Sequence, residues 1–383
     1  MLDGLGGPPA EGEVWIVSGR IVEPGSARMA REESLAGRVV APGLVDMHVH
    51  LCLDGGSDPL GAFSAAGPEE LARLMREHAE RTLLAGVTTV RDLGSPTGLV
   101  VSLRDDIAAG SARGPRIVAS GAPITSPGGH LHQMGIPVRG PDAARAAVQS
   151  LQAAGVDVIK IVATGGGSSP QTDPRACQFT DDEMAALGEE ARRLGLPVAC
   201  HAHADAGVRQ AVAAGMQTIE HGSFVSPSTL EAMAARRIAF VPTLAPAIHA
   251  GVLRPADPGR VPTRRMAAVG ERWEARRAAV RAALECGVLV VVGSDAGVAD
   301  TPHGGVVTEI LALHACGMSP ALAMAAAGRV AAGVLGIPDI GILTPGAHAD
   351  LVVLEDDPLV DLTVLARPLA VMQAGRWVRP PAP

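Results

Sequence analysis

The chain has 383 residues, 47% hydrophobic and 19% charged, enough to bury a large core as one big barrel with an appendage or as two or three small domains. Its net charge of −8 argues against a nucleic-acid or basic membrane surface. Aromatic residues make up 2% and tyrosine is absent, which excludes a tyrosine acid and leaves few rings for stacking bases. The five cysteines (Cys52, Cys177, Cys200, Cys286 and Cys316) form no CxxC pair and read as reduced, buried thiols. The N-terminus is acidic and rich in Gly and Pro, without a charged n-region or apolar h-region. The most apolar stretch, "ALAMAAAGRVAAGVLGI", contains Arg329 and is short for a membrane span. A soluble, cytoplasmic protein acting on a small molecule is expected, without nucleic-acid or membrane partners and as a homo-oligomer.

In chain order, "EVWIVSGRIVEPG" reads as strand and turn. Strands are then expected at 44–50, 86–92, 115–121, 156–163, 197–203, 217–221, 237–242 and 287–294. Helical segments including 69–85, 141–154, 181–194, 205–214, 227–235 and 264–285 fall between them. Eight strands alternating with helices or long loops predict an α/β fold, a (β/α)8 TIM-like barrel, with a doubly wound open sheet as the alternative. The C-terminal "DLVVLEDDPLVDLTVLARPLAVMQAGRWV" again lacks helical segments. It pairs with the N-terminal strands into a small β-sandwich, giving domains 1–40 with 341–383 and 41–340; the last five residues, "RPPAP", should fray.

Polar residues gather at the strand ends. Strand 1 ends in His48-Val49-His50, and residues i and i+2 of a strand share a face. Strand 4 carries Lys160, strand 5 ends in His201-Ala202-His203, strand 6 in His221, and strand 8 runs into Asp295. A barrel gathers these ends at one mouth, where such a density of polar groups needs a metal or a dense network. Imidazole with carboxylate suits Zn2+, with Mn2+, Co2+ or Fe2+ open. His78, His314 and His348 fall on helices or a turn and read as packed or surface residues.

Lys160 is the single lysine among 32 basic residues, and it sits in an apolar strand. A buried amine beside dications is readily deprotonated, and a neutral amine adds CO2 to give a carbamate whose two oxygens can bridge two metals; arginine stays protonated and cannot do this.

These motifs together resemble the amidohydrolase superfamily, metal-dependent hydrolases on a (β/α)8 barrel, over nearly the whole chain. "VVAPGLVDMHVHL" is similar to its strand-1 entry and "DVIKIVATGG" to its carbamylated-lysine strand. "VACHAHADAGVRQAVAAGMQTIEHGSF" is similar to strands 5 and 6, "GSDAG" to strand 8, and "GILTPGAHADLVVLEDDPL" to the return into the small β-domain. The branch is that of imidazolonepropionase-like proteins and metal-dependent Xaa-Pro and Xaa-Arg dipeptidases. The resemblance implies two divalent metals, with Zn2+ expected: His48 and His50 on the buried one, His201 and His221 on the more exposed one, and the Lys160 carbamate bridging. Asp295 would bind the buried metal and act as the base for a shared water, the resulting hydroxide attacking an amide carbonyl. His201 is preferred to His203 as the strand-5 ligand, because relatives often keep only the first of the pair.

His130 in "SPGGHLHQMG" is the expected oxyanion donor, with His132 a solvated neighbour. Arg91 can grip a substrate carboxylate or pair with Asp92 or another barrel acid. His203, His303, His249 and Arg175 are expected to shape the pocket, and "ATGGGSS" to form a turn beside the metals. The expected substrate is a small carboxylate-bearing amide, a dipeptide or N-acyl amino acid. Hydrolysis or deamination of a cyclic amide or imidazolone-type ring is the alternative, and a non-catalytic scaffold the third reading. The loops 52–66, 122–136, 164–180, 243–265 and 296–305 would set specificity.

Overall fold

A computed structural model describes residues 1–26, 32–169, 171–251 and 264–381, with side chains of the 264–285 helix described from 269 onward. Parts of the expected specificity loops 164–180 and 243–265, and the last two residues, lie outside the described residues.

Seven parallel strands follow one another as expected: Leu44–Val49, Val87–Asp92, Arg116–Ala119, Ile159–Val162, Val198–Ala204, Thr218–Phe224 and Ala239–Val241. The third and fourth are linked where Asp157 N donates to Ala119 O at 2.8 Å and the Asp157 carboxylate accepts from Ala119 N at 2.8 Å. The expected eighth strand, 287–294, is instead an irregular segment, yet it closes the barrel. Parallel bridges join Val290 to Phe240 and Ala296 to Val49, and Met47 N donates to Val292 O at 3.0 Å. Its irregularity has a local cause. The Asp46 carboxylate accepts from Ser294 N at 2.9 Å and from Ser294 Oγ, so a side chain takes part of the ladder's place. At Gly293 a Cβ would lie 2.9 Å from the Cβ of His48, so only glycine lets the segment pass this close to strand 1.

Helices begin where sequence chemistry permits. Pro68–Leu84, Pro141–Ala153 and Pro227–Ala235 each open on proline, and Asp181–Arg193 opens on a capping box between Thr180 and Glu183. Their apolar faces pack on the barrel; Leu71, Met75, Ala79 and Leu83 recur at helical spacing and are buried.

The termini form one antiparallel sheet, ordered Arg376–Arg379, Ala370–Gln373, Leu351–Leu354, Val39–Pro42. The hairpin Trp15–Val17 and Arg20–Val22 meets it through an Arg20–His348 bridge. This sheet has its own apolar core, including Ile21, Leu351, Val353, Ala370 and Met372. Arg379, expected to fray, pairs with Val371. Cys52, Cys200 and Cys316 are buried thiols as expected, but Cys177 is exposed and Cys286 half-buried. No described helix is long and apolar enough to cross a membrane.

Candidate metal centre

His48, His50, His130, Lys160, His201, His203, His221 and Asp295 line one cavity of about 810 Å³ at the C-terminal ends of the strands. Each is at least nine-tenths buried. Asp295 Oδ1 lies 3.5 Å from His48 Nε2 and 3.4 Å from His50 Nε2, and Lys160 Nζ is 3.3 Å from His48 Nε2. Ligand atoms of His48, His50 and Asp295 converge within 4.8 Å. The ring of His201 is 4.5 Å from that of His221 and 4.7 Å from that of His130, centroid to centroid. His221 and Asp295 adopt φ of 72° and 57°, left-handed values that non-glycine residues hold only when their surroundings impose them.

Hydrogen bonds on the far side of each ring assign its tautomer. His48 Nδ1 donates to Glu220 Oε2 at 2.8 Å and His50 Nδ1 to Gly94 O at 3.2 Å, leaving both Nε2 lone pairs facing Asp295. The Thr243 hydroxyl donates to Pro242 O, so it accepts from His221 Nδ1 at 2.6 Å and frees His221 Nε2. His201 Nε2 donates to Gly165 O at 3.1 Å and presents Nδ1. His203 differs. The buried Ser223 hydroxyl accepts from Arg276 Nε at 3.0 Å, and His203 Nδ1, at 2.8 Å, is the acceptor left for its proton among the described residues. With Ser223 donating to its Nδ1, His203 carries its proton on Nε2.

Electrostatics agree with a donor set suited to a cation. Burial, then the neighbouring cations and imidazoles, holds His48, His201, His203 and His221 well below the usual histidine range, so their lone pairs are free at neutral pH. Burial alone would raise Asp295, but His48, His50 and Lys160 more than offset it and keep the carboxylate ionised. Burial lowers Lys160 to about 8 against the pull of Glu220 and Asp295. Buried imidazole lone pairs converging on a carboxylate, with the Lys160 amine beside them, are the chemistry of a divalent metal site.

His130 also reaches the cavity. Paired strand ends Ile124–Thr125 and Ile136–Pro137 hold its loop against strand 4, and its Nδ1 is buried without a partner among the described residues. Gly166 has no room for a side chain, because a Cβ there would lie 2.4 Å from His130 Nε2. The "ATGGGSS" run is thus a tight turn beside the site.

Other expected residues sit elsewhere. Arg91 does not reach the cavity; of its two expected roles the structure gives the barrel-acid pairing, with donation to Met47 O at 2.8 Å and Glu220 Oε1 at 2.9 Å. His303 stacks on His78 at 4.2 Å and donates from Nε2 to Leu53 O at 2.8 Å, away from the cavity lining. Arg175 lies 3.8 Å over the Phe224 ring. Glu220 and Asp46, which hold His48 and the eighth segment, are not legible in the sequence, because a carboxylate inside a barrel carries no local pattern. Nor are Arg272, Trp273 and Arg276, which line the cavity from a helix that reads as ordinary surface.

Residues 39–378 match the amidohydrolase family. Ochratoxinase from Aspergillus niger is 28% identical over 376 residues, 87% of this chain and 73% of that protein. Imidazolonepropionase from Paracoccus denitrificans is 27% identical over 366 residues, 87% of this chain and 83% of that protein. A crystal structure of a Xaa-Pro dipeptidase with methionine bound in its active site superposes with a TM-score of 0.83 at 30% identity, covering 95% of this chain and 94% of that one. The chain belongs to the amidohydrolase family, on its imidazolonepropionase-like branch, and is a hydrolase of carbon–nitrogen bonds on a TIM barrel.

Proposed function

We propose that this amidohydrolase holds two divalent metals, with Zn2+ the expected pair, and cleaves the amide C–N bond of a small carboxylate-bearing substrate, a dipeptide or N-acyl amino acid. The observation that carries this reading is the buried lysine 3.3 Å from a histidine lone pair, amid neutral imidazoles. A cation is a poor neighbour there. Burial brings Lys160 to about 8, so part of it is the free amine at neutral pH. The amine nitrogen adds to CO2, one proton leaves to solvent, and the resulting carbamate supplies the missing anionic ligand. His48, His50, Lys160, His201, His221 and Asp295 would hold the metals. Bound divalent metals lower the pKa of water and polarise a carbonyl.

The protein's own groups do the rest. Asp295, ionised at any working pH, takes the proton of the attacking water and passes it to the leaving nitrogen. His203, with its proton on Nε2, and His130 donate toward the developing oxyanion. The Xaa-Pro dipeptidase by its name cleaves a dipeptide, which supports this reading; the relation to imidazolonepropionase supports an imidazolone-type ring as the second. Elemental analysis should find close to two metals per chain, and turnover across a panel of N-acyl amino acids, dipeptides and lactams should vanish with chelator and return with Zn2+, Mn2+ or Co2+. One metal in a fully active preparation would exclude the binuclear reading.

A further inference from the structure

One wall of the cavity combines apolar Pro246, Ala247 and Val269 with several hydrogen-bond donors. Arg272 and Trp273, from the helix Arg264–Glu285, and His203 on strand 5 line it together with Arg276. Arg276 is committed. It donates through Nε to Ser223 Oγ and through Nη1 to Thr243 O at 2.6 Å, which braces the hydroxyls that orient His203 and His221. Arg272 is not committed. The acid beside it in sequence, Glu271, accepts from Arg175 Nη2 at 2.6 Å, and Arg175 is itself fixed over the Phe224 ring. No carboxylate among the described residues forms an ion pair with Arg272. The buried indole N–H of Trp273 has no acceptor among the described residues either. His203 adds its Nε2 proton.

Among the described residues, then, the Arg272 and Arg276 guanidinium groups bear on each other, while Glu271, the acid that acts on Arg272, is held by Arg175. After burial, the Arg272 charge is the largest influence pushing Arg276 down, to about 10. It also lies close enough to bear on both His203 and His130, next to the reacting centre. Across the mouth, Arg272 Nη2 reaches the strand-4 loop: a Cβ on Gly167 would sit 3.1 Å from it. An unpaired planar cation, half-buried and flanked by donors, is a receptor for a planar anion.

We infer that Arg272 sets the specificity of this enzyme by pairing with the free carboxylate of the amino acid released from the scissile amide. This rests on the amide-hydrolase reading above. It narrows the substrates to molecules whose carboxylate lies one residue from the cleaved bond, excluding internal peptide bonds and neutral lactams.

The test separates the two claims. Metal-loaded Asp295→Asn protein, which retains the pocket without the base, is titrated calorimetrically with N-acetyl derivatives of glycine, leucine, phenylalanine and proline. Each is supplied as the free acid and as its carboxamide. The acids should bind about tenfold to a hundredfold more tightly than the amides. Adding Arg272→Gln should erase that preference, Arg272→Lys should keep part of it, and Arg281→Gln, at an exposed position of the same helix, should leave it unchanged. Melting temperatures of all variants report folding. An acid-to-amide ratio near one for every pair, or one preserved in Arg272→Gln, overturns the inference. Turnover by the otherwise unmodified enzyme is read separately: an acid preference without hydrolysis sinks the amidase reading alone, and hydrolysis without an acid preference sinks the anchor alone.

Discussion

Lys160 and Glu220 show how much a single buried side chain decides here. Lys160→Arg keeps the positive charge and much of the reach but cannot capture CO2. It should lose the bridged metal pair and fall by about 10²-fold or more in kcat/KM, read by metal content and steady-state rates. Full activity with two metals in that variant would make the lysine an ordinary strand residue. Glu220 joins Arg91 to His48, all three buried. Glu220→Gln leaves Arg91 without its counter-charge inside the barrel, so stability should drop by about 3–5 kcal/mol in chemical denaturation. Metal affinity should weaken by about 10–100-fold, because His48 loses the partner that fixes its tautomer. The sequence displayed every residue of this kind that ends a strand, since position there implies direction. It could not display Glu220, because the interior of a barrel is reached by register from a different strand.

Among elements, the legible ones were those whose pattern is local. Parallel strands announce themselves as short Val/Ile runs, and helices as the Ala/Arg/Glu/Leu-rich segments between them, with edges within three residues of those expected. The eighth segment, "VLVVVGS", has strand composition, but the Asp46–Ser294 bonds replace its ladder. His303 misled for a related reason: a loop histidine after the last strand looks like a rim residue until the helix Pro68–Leu84 supplies His78 beneath it.

That stacked pair makes a pH prediction. Burial first, then His78, depresses His303 to about 3 from an ordinary value of 6.5. Below pH 6.5 the unfolded chain takes up a proton that the folded ring refuses, so stability present at neutral pH is lost as pH falls. His303 alone accounts for about 1.4 kcal/mol per pH unit over that limb. His303→Gln should flatten the decline between pH 6.5 and 5 by about one proton's slope, measured as denaturation midpoints in a pH series; an unchanged slope would mean the ring is protonated in the native state.

At the scale of the whole molecule, Val39–Pro42 belongs to the terminal sheet, and after Gly43 the chain becomes barrel strand 1, which carries His48 and His50. At Gly43 a Cβ would lie 2.3 Å from Thr88 Oγ1, so this joint is close-packed. The partner of Val39–Pro42 is Leu351–Leu354, from the other end of the sequence. During synthesis, then, His48 and His50 emerge early, but the strand that steadies their approach is among the last to leave the ribosome. Metal loading should therefore be a late event, coupled to chain completion. A chain ending at Gly346 should emerge with little bound metal and a tendency to aggregate, in contrast to one shortened only at Arg379. Metal content and sedimentation of the two products would decide it: equal loading would show that the barrel matures without waiting for its C-terminus.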